Sequence, residues 1–297
     1  MAGVKRFQLK VCGLINDVTF HMSKCCAEDL HKRDPDIYPS PEICPMLEFE
    51  WDLYIEQQKK NLRGDMWVFE EKALAFVNGE LKKGPKDFIK WAEEEHNYED
   101  FRPEPLYKVL AEEAYTKHLN SKSHDYAYMD ISVGEKPVGR LVMELFSDKV
   151  PKTCDNFRAL CTGEKGESKH SEYTLHYKNS IFHRIVKNGW IQGGDIWMKK
   201  GDGGESVYGN VFEDENFSVS HSQRGMLGMA NKGRHTNGSQ FYVTLQPASW
   251  MDCKYVCFGQ VIEGTRTLQA MEQQDTMNDR PLKEIVITDC GVLTFEF

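Results

Sequence analysis

The sequence has no apolar run long enough to cross a membrane, and none follows Met1-Ala2-Gly3-Val4-Lys5-Arg6 as a secretory leader would require. Ala2 stands where a myristoylation signal needs glycine, and Phe295-Glu296-Phe297 offers no cysteine for prenylation. The expectation is a soluble, intracellular, cytoplasmic protein with no membrane partner, in which the sequons Asn216-Phe217-Ser218 and Asn237-Gly238-Ser239 are coincidences. Positive charge is also short. Lys and Arg number 37 against 46 Asp and Glu, a net charge of -9. The pairs Lys59-Lys60, Lys82-Lys83 and Lys199-Lys200 read as solvated, so nucleic acid is not an expected partner. C-x-x-C spacing is missing too. The nine cysteines (Cys12, Cys25, Cys26, Cys44, Cys154, Cys161, Cys253, Cys257, Cys290) are an odd number that fits a reducing compartment, and Cys253-x-x-x-Cys257 has no second pair to complete a metal site. Gly201-Asp202-Gly203-Gly204-Glu205-Ser206 lacks the G-K-[ST] of a phosphate cradle and reads as a turn.

At 297 residues the chain suits two domains, divided here as 1–124 and 125–297. In the first, Phe7 to Ile15 alternates and then turns wholly apolar, as a central strand does. Phe20, Ala27 and Leu30 mark a helix to Arg33, and Leu47, Trp51, Tyr54 and Ile55 mark a second to Leu62. Ala73 to Val77, Asn78-Gly79 and Glu80 to Lys82 form a hairpin. Pro85 opens a helix with Phe88, Ile89, Trp91 and Ala92 on its apolar face, and Tyr107 to Lys117 is a further helix before the polar linker His118 to Asp125. This order, with F-V-N-G-E-L-K-K-G-P-K-D-F-I-K-W at Phe76 to Trp91, resembles an α/β thioredoxin-like or glutaredoxin domain. The resemblance places a C-x-x-C where this chain has Asp17-Val18-Thr19-Phe20, and a cis-proline at Ala73. Without a low-pKa thiolate and a resolving thiol there is no exchange chemistry, which leaves an adaptor role. Cys25-Cys26 reads as two small, buried or half-buried helix residues pointing about 100° apart.

The second domain alternates short strands and turns: Tyr126 to Val133, Val138 to Phe146, Ile181 to Val186, Trp190 to Gln192, Met226 to Met229, Phe241 to Leu245, Val256 to Val261 and Ile285 to Leu293. Helices begin at Pro151 and Thr265, and the sum predicts a mainly-β barrel with helical caps. Within F-H-R-I-V-K-N-G-W-I-Q-G-G-D, Arg184 and Gln192 are an even number of positions apart, which in extended chain returns both to one face. His183 then faces the other way and reads as a satisfied structural histidine. Read from the residues, Arg184 is either a barrel ion-pair partner or a peptide-facing cation.

That block, together with F-R-A-L-C-T-G-E-K-G, Y-G-N-V-F-E-D-E-N-F, M-A-N-K-G-R-H-T-N-G-S-Q-F-Y and Phe258-Gly259, resembles the cyclophilins, the cyclosporin-type peptidyl-prolyl isomerases. The likeness runs from about Tyr126 to Leu293, and the layout is similar to a subfamily with an extra N-terminal domain. It implies an eight-stranded barrel capped by two helices, with the active face outside the barrel. It implies a proline-containing protein or peptide as partner, a cyclosporin-like ligand and no cofactor or metal. Through the subfamily it implies a cytoskeletal or axonemal assembly in the cilium. By resemblance Arg184 is the catalytic cation and Gln192 orients it; Asn231 holds the neighbouring peptide through its main chain, Gln240 and Tyr242 line the proline slot, and Trp250 forms its rim.

Several slot positions depart from the family. Gly189-Trp190 stands where a phenylalanine and then a methionine or leucine belong, Lys232 replaces a small alanine, Tyr242 a phenylalanine, Met251 a leucine and Tyr255 a histidine. A lost aromatic floor and a hydroxyl placed in an apolar slot would each cost roughly 1–3 kcal/mol, together about a hundredfold in rate or more. The expectation is a binding or structural module with weak or absent isomerase activity; the alternative is an active isomerase in which Trp190 refills the floor.

Overall fold

The computed structural model describes residues 5–82, 84–169 and 173–295. Lys83 of the Lys82-Lys83 pair, the Met1-to-Val4 start and the final Glu296-Phe297 lie outside them. The chain divides between Ser121 and Lys122 into two units.

In the first unit, β1 (Leu9–Leu14) leads into α1 (Val18–Arg33), which Asp17 caps by accepting from the Thr19 amide at 2.9 Å. Then come β2 (Glu42–Met46), α2 (Glu48–Leu62), a 3-10 turn at Gly64–Val68, β3 (Ala73–Val77), β4 (Glu80–Leu81), α3 (Pro85–His96) and α4 (Glu104–Asn120). The sheet order is β2-β1-β3-β4, with β1 and β2 parallel and the other pairs antiparallel. Asn78 and Gly79 both take positive φ in the tight turn between β3 and β4. Phe20, Ala27, Leu30, Phe88, Trp91 and Ala92 pack on one sheet face, and Trp51 and Ile55 on the other. Strand β2 has no expected counterpart. Pro45 argues against a strand, but at a sheet edge its missing N–H need not join a ladder. Helix α4 also runs on to Asn120, so the first three residues of the expected linker, His118 to Asn120, are helical. Cys25 is half-buried and Cys26 buried, and burial raises both thiols.

The second unit contains β5 (Asp125–Val133), β6 (Lys136–Leu145), α5 (Pro151–Thr162), β7 (Ile181–Phe182), β8 (Arg184–Val186), β9 (Trp190–Gly193), β10 (Met226–Met229), β11 (Phe241–Thr244), a 3-10 turn at Ser249–Met251, β12 (Cys257–Glu263), α6 (Thr265–Glu272), β13 (Thr276–Met277), β14 (Arg280–Pro281) and β15 (Ile285–Leu293). The large sheet runs β7-β15-β5-β6-β12-β10-β11-β9-β8. Its end strands β7 and β8 flank the single residue His183, whose amide donates to Gln192 O at 3.1 Å, so the sheet nearly closes into a barrel. Among the described residues this sheet has nine strands, the run Ile181 to Val186, expected as one strand, being split at His183. Pro151 and Gly163, the latter left-handed at φ 70, bound α5, which buries Phe157 and Leu160. The first residues of the unit are fixed to the barrel: Lys122 Nζ and His124 Nδ1 each lie 2.8 Å from an oxygen of the fully buried Glu144.

Candidate functional site

Arg184 and Gln192 share a face, though not along one strand as the even spacing implied. The chain turns back at Lys187 to Gly189, and Arg184 on β8 is the direct antiparallel partner of Gln192 on β9. The guanidinium is held by Asp279, which accepts from Nη2 at 3.1 Å and from Nε at 3.3 Å, and it lies 5.4 Å from the Trp190 ring centroid. Gln192 instead donates to Gln240 Oε1 at 2.9 Å and faces the Trp190 indole N–H at 3.4 Å. The orienting partner of Arg184 is therefore Asp279, a residue that sequence reasoning missed. Its signal was present: Asn278-Asp279, both at positive φ, forms the turn joining β13 to β14.

The remaining site residues divide into two groups. Tyr242, Met251, Trp190 and Tyr255 form one apolar cluster with Ala248 and Ala230. Tyr242 and Met251 are each only 2% exposed, while Trp250, 54% exposed, stands over Trp190 with ring centroids 5.6 Å apart. Gln192, Asn231 and Gln240 line a separate cavity of about 680 Å³, also walled by Trp197, Gly203 and Lys232. Lys232 Nζ donates to Asp202 O at 3.0 Å, so the residue in the alanine position reaches the opposite wall. The Asn231 side chain is turned inward, donating to Lys254 O and accepting from the Gly233 amide, each at 3.2 Å.

Two expectations need correction. The Tyr242 hydroxyl does not enter an apolar slot unpaired. It lies 2.7 Å from His221 Nε2, and His221 Nδ1 lies 2.7 Å from Asp252 Oδ1. A neutral imidazole donating to the carboxylate and accepting from the hydroxyl satisfies the whole chain. Burial lowers the His221 pKa, against the raising effect of Asp252, and so favours that neutral form. The ring has room because it crosses a glycine: a Cβ at Gly228 would stand 2.3 Å from Tyr242 Cζ. His183, expected to be satisfied, is only partly so: its Nδ1 finds no partner among the described residues, and burial lowers its pKa against the raising effects of Asp195 and a backbone hydrogen bond with Ile181.

The glycine-rich segment is more than a turn. The buried Asp195 accepts from the amides of Trp197, Met198, Lys200, Gly201 and Gly203, which wraps the loop around one carboxylate to make a cavity wall. Burial works to raise this carboxyl, but the loop amides hold it below its usual range. Among the described residues no cluster of three or more His, Cys, Asp or Glu side chains is arranged to hold a metal.

A sequence model of the cyclophilin type peptidyl-prolyl cis-trans isomerase/CLD family matches residues 128–292. The chain belongs to the cyclophilin family. Its likeness to relatives extends beyond that domain. It is 50% identical over 286 residues to a mouse protein named probable inactive peptidyl-prolyl cis-trans isomerase-like 6, covering 96% of this chain and 91% of the relative. The human protein of that name is 49% identical over 284 residues, with the same coverages, and the bovine one 48% over 286, covering 96% and 93%. The N-terminal unit is therefore shared with these cyclophilins.

Proposed function

We propose that this cyclophilin binds proline-containing segments of a partner protein and has weak or absent isomerase activity, acting as a binding or structural module. Isomerisation must overcome about 18–20 kcal/mol of amide resonance. It calls for a dry slot for the proline ring and an available cation near the prolyl nitrogen. The observation carrying the reading is that Tyr242 and Met251, two of the slot residues, are only 2% exposed, while Gln192, Asn231 and Gln240 line an open polar cavity. Arg184 is also engaged by Asp279, and the relatives' printed names point the same way.

In this reading Gln192, Asn231 and Gln240 receive the peptide backbone, Trp250 offers the rim, and a cyclosporin-like ligand meets the same altered slot. The β2-β1-β3-β4 order supports a thioredoxin-like N-terminal unit over residues 1–124, serving as an adaptor. The proposed setting is cytoplasmic, in a cytoskeletal or axonemal assembly of the cilium. One observation favours the alternative of an active isomerase: Trp190 packs into the Tyr242 cluster on the Gln192 face, as a refilled floor would.

A coupled isomerase assay on the full chain separates the two. A silent wild type and a Gly189→Phe, Trp190→Leu variant that turns over support the module. Wild-type turnover lost in Arg184→Ala establishes the isomerase.

A further inference from the structure

Cys12 and Cys44, far apart in sequence, are direct partners in the parallel pairing of β1 and β2. Paired residues on neighbouring strands project to the same sheet face, and strands about 4.8 Å apart fall within the roughly 4.4–6.8 Å Cα separation of disulfides. Both side chains belong to the apolar cluster beneath Trp51 and Ile55. Their environments differ. Cys12 is fully buried and accepts from the Tyr54 hydroxyl at 3.4 Å, whereas Cys44 is half-buried on the edge strand and donates to Glu42 Oε1 at 3.5 Å. A reagent from solvent meets Cys44 first, with Cys12 behind it.

We propose that Cys12 and Cys44 are a dithiol site that exchanges with low-molecular-weight disulfides of the glutathione type, closing a reversible disulfide that fastens β2 to β1. The Cys44 thiolate attacks one sulfur of the small disulfide, forming a mixed disulfide and expelling one thiolate. Cys12, deprotonated, attacks the Cys44 sulfur of that mixed disulfide and expels the second. The two cysteines lose two electrons and two protons; the small disulfide gains the electrons, and its two thiolates take up the protons. Burial first, and then the neighbouring Cys12, push the Cys44 thiol up to about 12, so thiolate is scarce at neutral pH. The site is a slow fastening and not a turnover catalyst, which agrees with the absence of C-x-x-C. Cys161 and Cys290 also lie close enough to influence each other, but both are buried. Cys253 is exposed and serves as an internal control.

The test exposes the full chain to oxidised glutathione at pH 7, 8 and 9, blocks remaining thiols by alkylation, and maps peptides without reduction by mass spectrometry. A linked Cys12–Cys44 peptide pair, lighter by two hydrogens, is expected within one chain. Its formation should rise about tenfold per pH unit and reverse with a dithiol reductant. Cys12→Ala should leave a glutathione adduct on Cys44 that does not resolve. The wild-type map decides even if that variant fails to fold. A persistent Cys44 adduct beside alkylated Cys12, a link between two chains, or modification of Cys253 alone would each overturn the proposal.

Discussion

Replacing Tyr242 with phenylalanine restores the residue that cyclophilins carry there, yet in this chain it leaves His221 Nε2 buried without a donor. An orphaned buried acceptor costs about 1–3 kcal/mol. Tyr242→Phe should therefore lower the urea midpoint of the second unit with little change in m-value, and an unchanged midpoint would show that the hydroxyl contributes nothing. Of the two losses charged to the slot from sequence, the unpaired hydroxyl is not incurred, so the case for weak turnover rests on the altered floor and on the burial of Tyr242 and Met251.

At the scale of elements, the small hairpin of β13 and β14 decides what surrounds Arg184. Asp279→Gly keeps a residue suited to positive φ while removing the carboxylate. The ion pair is exposed, 46% at each side chain, and such pairs are worth about 0–1 kcal/mol. Freeing Arg184 should thus raise peptide affinity or turnover by no more than about fivefold. A larger gain would mean that Asp279 blocks the site sterically. The hairpin also shows where sequence reasoning stops. The strands Met226–Met229 and Ile285–Leu293 and helix α5 were legible because short apolar runs between turns, Pro151 and Gly163 are local signals. Strand β2 was hidden by Pro45, and the Arg184–Asp279 pairing by the length of chain between its members. The grouping of Trp190, Tyr242, Met251 and Tyr255 was approachable only through family positions. Their division from the open cavity depends on side-chain packing, which no spacing rule encodes.

For the whole molecule, acid should act in two stages. His21, His96, His183 and His221 all have pKa values lowered chiefly by burial. For a group whose folded pKa lies below its unfolded value near 6.5, the unfolded chain binds protons first, so stability is full above that pH and falls as pH drops below it. A second loss follows below about pH 4, as Glu144, Asp195 and Asp252 are protonated. Unfolding midpoints measured from pH 8 to 3 should show both; a flat profile between pH 7 and 5 would contradict the buried neutral histidines. The loop gathered around Asp195 carries one more implication. A cavity wall already fixed by five amides leaves little chain entropy to lose when a ligand arrives. Stopped-flow traces of peptide binding should therefore be single exponentials whose rate climbs linearly with concentration, with no plateau from a slow closing step.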